Sequence, residues 1–393
     1  MLQNILLKDV VTRLSRALDL LSIRINKHHQ RATIISLKLG RELNLTPEQL
    51  LTLFYAGLLH DLGVASTRDK LDIMNFDYTN AQAHTAYGSD LLARAPFFRT
   101  VAEVVRCHHD HWLGPNKSGL LKDKIPVLSQ ILHLADRMET LIADNKYILE
   151  QVKPISAQIN KYSGMWFNPE LITCFNRLAT REAFWLDLST EFKSEIMGEI
   201  APPDERVIPA DDILLLSNLF REVVDAKSRH TKIHSASVTE NAIKIGKKMN
   251  LSDDDLQLLK IAVLLHDLGK LGVPDEILEK PAALLPEEYT IVKKHPYYTY
   301  HILKLIKGFD EIARWAAFHH ERPDGKGYPF GLKGDELPLG TRIIAVADMF
   351  TALTEDRPYR RKLSPGQALR LLEGEAARKT VDGTVVNTLK EVV

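Results

Sequence analysis

Hydrophobic and polar positions repeat with a helical period along most of the chain. The stretch "LQLLKIAVLLHDLGK", residues 256–270, is apolar around most of its circumference and turns polar only near its end. This pattern predicts a buried helix that carries polar side chains at its C-terminal end. No convincing stretch alternates apolar and polar residues as a β-strand would. The pattern therefore predicts an all-α protein.

Helix-start signals agree with this prediction. Thr46 precedes Pro47 and stands three residues before Gln49, a combination that predicts a capping box. Ser252 and Ser364 begin later apolar-periodic segments in the same way. The N-terminal stretch "MLQNILLKDVVTRLSRALDLL" predicts an amphipathic first helix, which either packs on the protein or binds a partner.

The chain also contains a tandem duplication. "FYAGLLHDLGVAS" resembles "IAVLLHDLGKLGV", "VVRCHHDHW" resembles "WAAFHHERP", and "ILHLADRMETL" resembles "IIAVADMFTAL". Matched positions are offset by 206 residues at the His-Asp pairs, 211 at the His-His pairs and 212 at the later aspartates. Each half is therefore expected to form the same kind of helical bundle.

The boundary between the halves is marked by a proline-rich, charged segment. Residues 199–212 carry Pro202, Pro203 and Pro209 and show no apolar period, which predicts a linker. We accordingly predict a first domain over residues 1–198 and a second domain over residues 213–393.

Composition limits the partners. Lys plus Arg and Asp plus Glu number 51 each, so the net charge is zero and no long-range attraction to DNA or long RNA is expected. The two cysteines fit a reducing cytoplasm rather than a disulfide framework. No run of 18 apolar residues and no signal-peptide pattern is present, so a cytoplasmic protein without a membrane span is expected.

Histidine and aspartate residues of the second half fall on the apolar flanks of separate helices. They are His234, His266, Asp267, His295, His319, His320 and Asp348. Polar residues placed at random would mostly lie on outer faces. Imidazole with carboxylate suits iron, manganese or zinc, and this set exceeds what one tetrahedral ion needs, so it predicts a two-metal site. Lys270, four residues after His266, can reach an anion held there.

Three motifs between about His230 and Arg361 carry a family resemblance. "HDLGK", "HHERPDGKGYP" and "ADMFTALTEDRPYR" together resemble the HD-GYP family of the HD superfamily of metal-dependent phosphohydrolases. The resemblance implies two tandem HD-type helical bundles. It also implies hydrolysis of 3′–5′ cyclic dinucleotides, cyclic di-GMP or 3′3′-cyclic GMP-AMP, to linear or mononucleotide products in bacterial second-messenger signalling. Two divalent ions, iron or manganese, are the implied cofactors.

The resemblance also implies roles for individual residues. One ion would be held by His234, His266, Asp267 and Asp348, and the other by Asp267, His295, His319 and His320. Asp267 would bridge the two ions, and Lys270, Arg357 and Arg360 would contact substrate phosphates. Gly327, Tyr328 and Pro329 would border the pocket. His230 stands where members with a third metal have glutamate, and Thr351 stands where many members have aspartate.

The first half keeps the residues that could bind metal but lacks those that would hold a dinucleotide. The kept residues are His29, His60, Asp61, His84, His108, His109 and Asp136. Val64 replaces the lysine, and the Gly-Tyr-Pro loop and the arginine run are missing. This half is expected to be regulatory or a scaffold, or to be a nucleotidase that removes the terminal phosphate of the linear product.

Two other functions are open at this point. One is a non-catalytic receptor that binds a cyclic dinucleotide, and the other is a nucleotidase acting on mononucleotides. A complete set of metal-type residues favours an enzyme over a receptor, and the arginines and the Gly-Tyr-Pro loop argue against mononucleotide substrates. Signalling-protein partners and a homodimer are both compatible with the sequence.

Overall fold

The computed structural model describes residue 2 and residues 4–21, 28–64, 75–76, 82–227, 234–356 and 361–393. Among these residues the regular secondary structure is helical, and the helices are joined by turns and irregular segments with two isolated β-bridges. The predicted all-α fold is confirmed. Within the same residues, no helix has the length and apolar character needed to cross a membrane.

The helices follow one another at short intervals. In chain order the first ten are α1 (Leu7–Leu18), α2 (His28–Glu42), α3 (Pro47–Leu59), α4 (Gln82–Leu92), α5 (Arg99–Arg106), α6 (Val127–Glu139), α7 (Val152–Lys161), α8 (Pro169–Ala179), α9 (Glu182–Ser189) and α10 (Lys193–Ile200). The second half continues with α11 (Ala210–Ala226), α12 (His234–Lys248), α13 (Asp253–Leu265), α14 (Asp275–Leu278), α15 (Pro286–Val292), α16 (Lys294–Leu303), α17 (Asp310–Ala317), α18 (Leu339–Thr354), α19 (Pro365–Ala377) and α20 (Gly383–Lys390).

The chain forms two compact units whose limits differ from the predicted domains. We call Ser22–Glu205 the first unit, and Met1–Leu21 together with Arg206–Val393 the second unit. The first helix was expected within residues 1–198, but it belongs to the second unit. Backbone pairing explains the difference, because the amide of Leu7 donates to Arg206 and that of Ile208 donates to Ile5. The apolar side of α1 is buried, so this helix packs within the unit.

The predicted helix starts agree with the structure. Thr46 accepts a hydrogen bond from the amide of Gln49 and completes a capping box, and Ser364 does the same at α19. Ser252 caps α13. The repeats also share their core packing, since α2 packs on α3 and α6 as α12 packs on α13 and α18.

Candidate functional site

Seven predicted side chains of the second unit converge on one place. The ligand-type atoms of His295, His319 and His320 lie within 4.8 Å of one another, and those of His234, His266 and Asp348 do likewise. These residues come from five helices or their ends, α12, α13, α16, α17 and α18, so the cluster depends on the packing of the whole bundle. The sequence predicted every member of this set.

Asp267 lies between the two groups. Its Oδ2 is 3.3 Å from Nε2 of His266, and its Oδ1 is 3.5 Å from Nε2 of His295. One carboxylate oxygen therefore faces each group. This is the arrangement required of a carboxylate that bridges two ions.

A glycine permits this close approach. A Cβ on Gly269 would lie 2.0 Å from the carbonyl oxygen of His295, so only glycine fits where the turn after α13 meets α16. Gly63 has the same relation to the carbonyl oxygen of His84 in the first unit, also at 2.0 Å. The glycine of "HDLG" is thus explained by packing in both repeats.

Backbone carbonyls orient three of the imidazoles. The Nδ1 atoms of His266, His295 and His319 contact the carbonyls of the residues three positions earlier, at 2.6, 2.8 and 2.6 Å. An Nδ1–H that donates to a carbonyl leaves Nε2 free to bind a metal. All three Nε2 atoms therefore face the cluster as potential ligands.

The electrostatics favour neutral imidazoles at His295 and His319 beside an ionised aspartate. Burial lowers the pKa of His295 to about 3, and burial together with nearby His266 lowers that of His319 to about 4. Burial by itself would raise the pKa of Asp267, but His266, Lys270 and His295 hold it well below its usual range. Neutral imidazole and ionised carboxylate are the forms that bind metal ions.

Buried polar atoms without hydrogen-bond partners indicate whether the cluster suits a metal ion. Nε2 of His266 and Oδ1 of Asp267 are buried, and neither has a hydrogen-bond partner among the described residues. Buried polar atoms without partners are costly, and cations between them would satisfy both. The donor set, imidazole with carboxylate, is one that iron, manganese and zinc accept. The cluster can therefore hold metal ions.

A cavity of about 480 Å³ opens beside the cluster. Lys270, His319, Tyr328 and Asp348 line it. Nζ of Lys270 lies 2.6 Å from Oδ2 of Asp267, which places the ammonium group at the edge of the cluster. The ring of Tyr328 stacks on His320 at a centroid distance of 4.9 Å.

The Gly-Tyr-Pro loop reaches the cavity through Tyr328. Gly327 is required there, because a Cβ would lie 2.4 Å from the Cα of Glu321. The peptide bond between Tyr328 and Pro329 is cis. Of the other predicted residues, His230, Arg357 and Arg360 lie outside the described residues.

The first unit contains a similar cluster of buried histidine and aspartate residues. His29, His60, Asp61, His84, His108, His109 and Asp136 are all buried there. Groups of three ligand-type atoms, such as those of His84, His108 and His109, lie within 4.8 Å of one another. Nε2 of His108 and of His109 is buried without a hydrogen-bond partner among the described residues. This cluster can also hold metal.

Bulky residues occupy the positions that line the cavity in the second unit. At the offset of 212, His133 and Arg137 correspond to Ala345 and Met349, both of which line that cavity. Arg137 donates two hydrogen bonds to Oδ2 of Asp136, at 3.2 and 2.8 Å. His133 stacks parallel to His111, which stacks on Trp166. His133 and Arg137 therefore lie beside this cluster at the positions where alanine and methionine line the cavity of the second unit.

Sequence reasoning missed three residues of the two clusters. His28 lies beside His60, with 3.0 Å between their Nε2 atoms, and the constant offset of 206 makes His28 the equivalent of His234. His29 also contacts the cluster, but its equivalent is Ser235. The carboxylates of Glu139 and Glu355 accept from His28 and His234. The offset could have identified His28, whereas no local pattern marks the two glutamates.

The chain is similar in sequence to a known domain family and to several named phosphodiesterases. A family model described as "HD domain" matches residues 13–171 and 218–385, once in each repeat. The chain is 30% identical to the "3′3′-cGAMP-specific phosphodiesterase 1" of Vibrio cholerae serotype O1, over 98% of this chain and 91% of the relative. It is also 38% identical to the "Cyclic di-GMP phosphodiesterase response regulator RpfG" of Xanthomonas campestris pv. campestris, over 42% of this chain and 43% of the relative.

A solved structure extends the similarity to the fold of the whole chain. It is the crystal structure of a cyclic GMP-AMP specific phosphodiesterase of V. cholerae (V-cGAP3). The match has a TM-score of 0.70 and 27% sequence identity, and it covers 98% of this chain and 97% of the other.

Proposed function

Because the chain belongs to the HD domain family, we propose that its second unit hydrolyses 3′–5′ cyclic dinucleotides in a metal-dependent reaction. The substrates are 3′3′-cyclic GMP-AMP, cyclic di-GMP or both, and the products are the linear dinucleotide or mononucleotides. The names of similar proteins support this substrate class, since they include phosphodiesterases of both kinds.

The convergence on Asp267 is the observation that carries the proposal. Two groups of ligand-type atoms meet on opposite oxygens of one carboxylate, beside an open cavity. We assign His234, His266, Asp267 and Asp348 to one ion, and Asp267, His295, His319 and His320 to the other. Two divalent ions, when bound there, would neutralise phosphate charge and lower the pKa of a water to near 7.

The protein's own side chains would hold and orient the substrate. The ammonium of Lys270, now at Oδ2 of Asp267, is placed to pair with a phosphate oxygen at the edge of the cluster. Tyr328 closes one side of the cavity and braces His320 by stacking. Arg357 and Arg360 are proposed to add positive charge on the substrate side. Iron or manganese is the proposed metal, and the cytoplasm is the proposed location.

A regulatory or scaffolding role is proposed for the first unit. Its cluster can hold metal, but Arg137 donates to Asp136, and His133, which stacks on His111, occupies the position of cavity-lining Ala345. A dinucleotide would need that space. A nucleotidase acting on the linear product would need at least part of it, so this structure favours the scaffold.

The experiment compares matched variants of the full chain. Purified, metal-loaded protein is incubated with cyclic GMP-AMP, cyclic di-GMP and mononucleotides, and the products are identified by chromatography and mass spectrometry. Asp267→Asn removes the shared carboxylate charge and should lower turnover by at least about 100-fold, because even outer partners of metal ligands are worth 10- to 100-fold. Asp61→Asn is the equivalent change in the first unit and should leave turnover of the cyclic substrate intact.

Each alternative predicts a different result. A receptor would bind the cyclic dinucleotide without product formation in the wild type. A mononucleotide phosphatase would release phosphate from mononucleotides and leave cyclic substrates intact. If Asp61→Asn caused the phosphorylated linear product to accumulate, the first unit would be a nucleotidase and the scaffold proposal would be wrong.

A further inference from the structure

His234 is oriented by a side-chain carboxylate, whereas other imidazoles of the cluster are oriented by backbone carbonyls. Its Nδ1 lies 2.9 Å from Oε2 of Glu355, and its Nε2 lies 2.9 Å from Oδ1 of Asp348. The Nδ1 atoms of His266, His295 and His319 contact backbone carbonyls instead. For His234, the first residue of α12 as described, a side-chain carboxylate fulfils this role.

In the first unit, the equivalent histidine also contacts a carboxylate through Nδ1, but the carboxylate comes from a different position in the repeat. Nδ1 of His28, the equivalent of His234, lies 2.5 Å from Oε2 of Glu139. Glu139 stands three residues after Asp136 and is itself held by the guanidinium of Arg31, at 3.3 Å from its Oε1. A carboxylate three positions beyond the last aspartate of the cluster thus orients the first histidine in that repeat.

The second unit cannot use that position. Three residues after Asp348 stands Thr351, which is buried and accepts a hydrogen bond from the side chain of Asn241 at 3.0 Å. Glu355 follows one helical turn later, just past the end of α18. Its side chain reaches back so that Oε2 meets His234, while its Oε1 is buried with no hydrogen-bond partner among the described residues.

We propose that Glu355 is the positioning residue for His234 and has taken over the role of a carboxylate at position 351. It receives the Nδ1–H of His234, fixes the plane of the ring and directs Nε2 at Asp348 and the cluster. Carboxylate partners of this kind orient imidazole ligands and increase their basicity, so their loss weakens metal binding. The inference rests on the proposed metal-dependent function, but metal binding tests it separately from hydrolysis.

Four variants of the full chain test the proposal. Glu355→Ala removes the carboxylate, and Glu355→Gln keeps an acceptor without charge. Thr351→Asp with Glu355→Ala restores a carboxylate at the position used in the first unit. Glu373→Ala is the control, because it removes an equally charged residue of the same unit that pairs with the exposed Lys390 and does not contact His234.

Two measurements are made on each variant. The first is the amount of manganese retained per chain after desalting, together with its dissociation constant. Manganese bound by the first unit contributes equally in all variants, because none of them changes that unit. The second is kcat and KM at saturating manganese. We expect Glu355→Ala to weaken manganese binding 10- to 100-fold, Glu355→Gln to weaken it less, and the double variant to recover most of the loss. KM should change little, because Glu355 acts through His234.

A dissociation constant for manganese in Glu355→Ala equal to that of wild type and Glu373→Ala would overturn the proposal. So would a double variant that folds, as judged by its circular dichroism and melting temperature, and binds no better than the single variant. If Glu355→Ala itself failed to fold, Glu355→Gln and the double variant would decide. Wild-type protein that binds manganese but hydrolyses no cyclic dinucleotide would refute the proposed function and leave this test intact.

Discussion

Glu321 anchors the Gly-Tyr-Pro loop, and its replacement gives a sharp test of how that loop serves the site. The residue directly follows His320 and is buried. Its Oε1 accepts from the amides of Phe330 at 2.6 Å and Gly331 at 3.2 Å, and its Oε2 accepts from that of Leu332 at 3.0 Å. One carboxylate therefore closes the loop that carries Tyr328 onto the cavity.

Glu321→Gln changes a single oxygen to an amide nitrogen. The remaining carbonyl oxygen can still accept from the first two amides, but the NH₂ group cannot accept from the amide of Leu332. An amide left without its acceptor costs roughly 1–3 kcal/mol. If that energy holds the loop closed in the transition state, kcat/KM for the cyclic dinucleotide should fall about 5- to 150-fold, since 1.4 kcal/mol is tenfold.

The assay measures kcat/KM together with the rate of limited proteolysis within residues 321–334. Glu336→Gln is the matched control, because that carboxylate accepts from one amide, Lys333 at 3.1 Å, on an exposed part of the same loop. We expect faster cleavage and lower kcat/KM in Glu321→Gln alone. Wild-type values of both quantities in this variant would refute the reasoning that the carboxylate closes the loop.

Two further predictions concern the stability of the second unit. Gly340→Ala places a Cβ 2.1 Å from the ring of the buried Trp315, so overpacking should cost about 1–3 kcal/mol and lower the melting temperature by about 2–12 °C; an unchanged calorimetric transition would contradict this. Burial lowers the pKa of Lys227, and Asp275 only partly offsets this, leaving it at about 8. Between pH 8 and 10.5 the unfolded chain therefore binds more protons at this residue, so its contribution to the free energy of unfolding rises with pH, by up to ~1.4 kcal/mol per pH unit. Urea unfolding of wild type and Lys227→Met across that range measures the difference, and parallel pH profiles would show that Lys227 does not titrate there.

Much of this protein could be predicted because the signals are local. Apolar periodicity and capping residues predicted the helices, and Thr46 and Ser364 form the capping boxes expected of them. The duplication indicated which histidines and aspartates correspond, except at the first histidine, where His28 and not His29 is the equivalent of His234. Since equivalent helices pack alike in the two units, the motif residues of the second unit meet around Asp267 as expected.

Other features were not visible in any single stretch. The first helix was expected in the first domain, but pairing of residues 5–7 with residues 206–208 places it in the second unit. The role of Arg137 was also hidden, because the sequence indicates a missing loop in the first half without indicating that a guanidinium covers Asp136. Periodicity identifies a buried face, but it does not identify which residue lies opposite.

The helical elements, the duplication and the set of imidazole and carboxylate groups can be read from the sequence, because helix periodicity is local and the two repeats can be compared residue by residue. Which carboxylate orients which imidazole is visible only in the packed fold, as is the cavity beside the cluster of the second unit. His28 and Glu139 are 111 residues apart, and His234 and Glu355 are 121 apart. Contacts of that separation are set by the packing of whole helices, which brings Glu139 to the histidine in one repeat and Glu355 in the other.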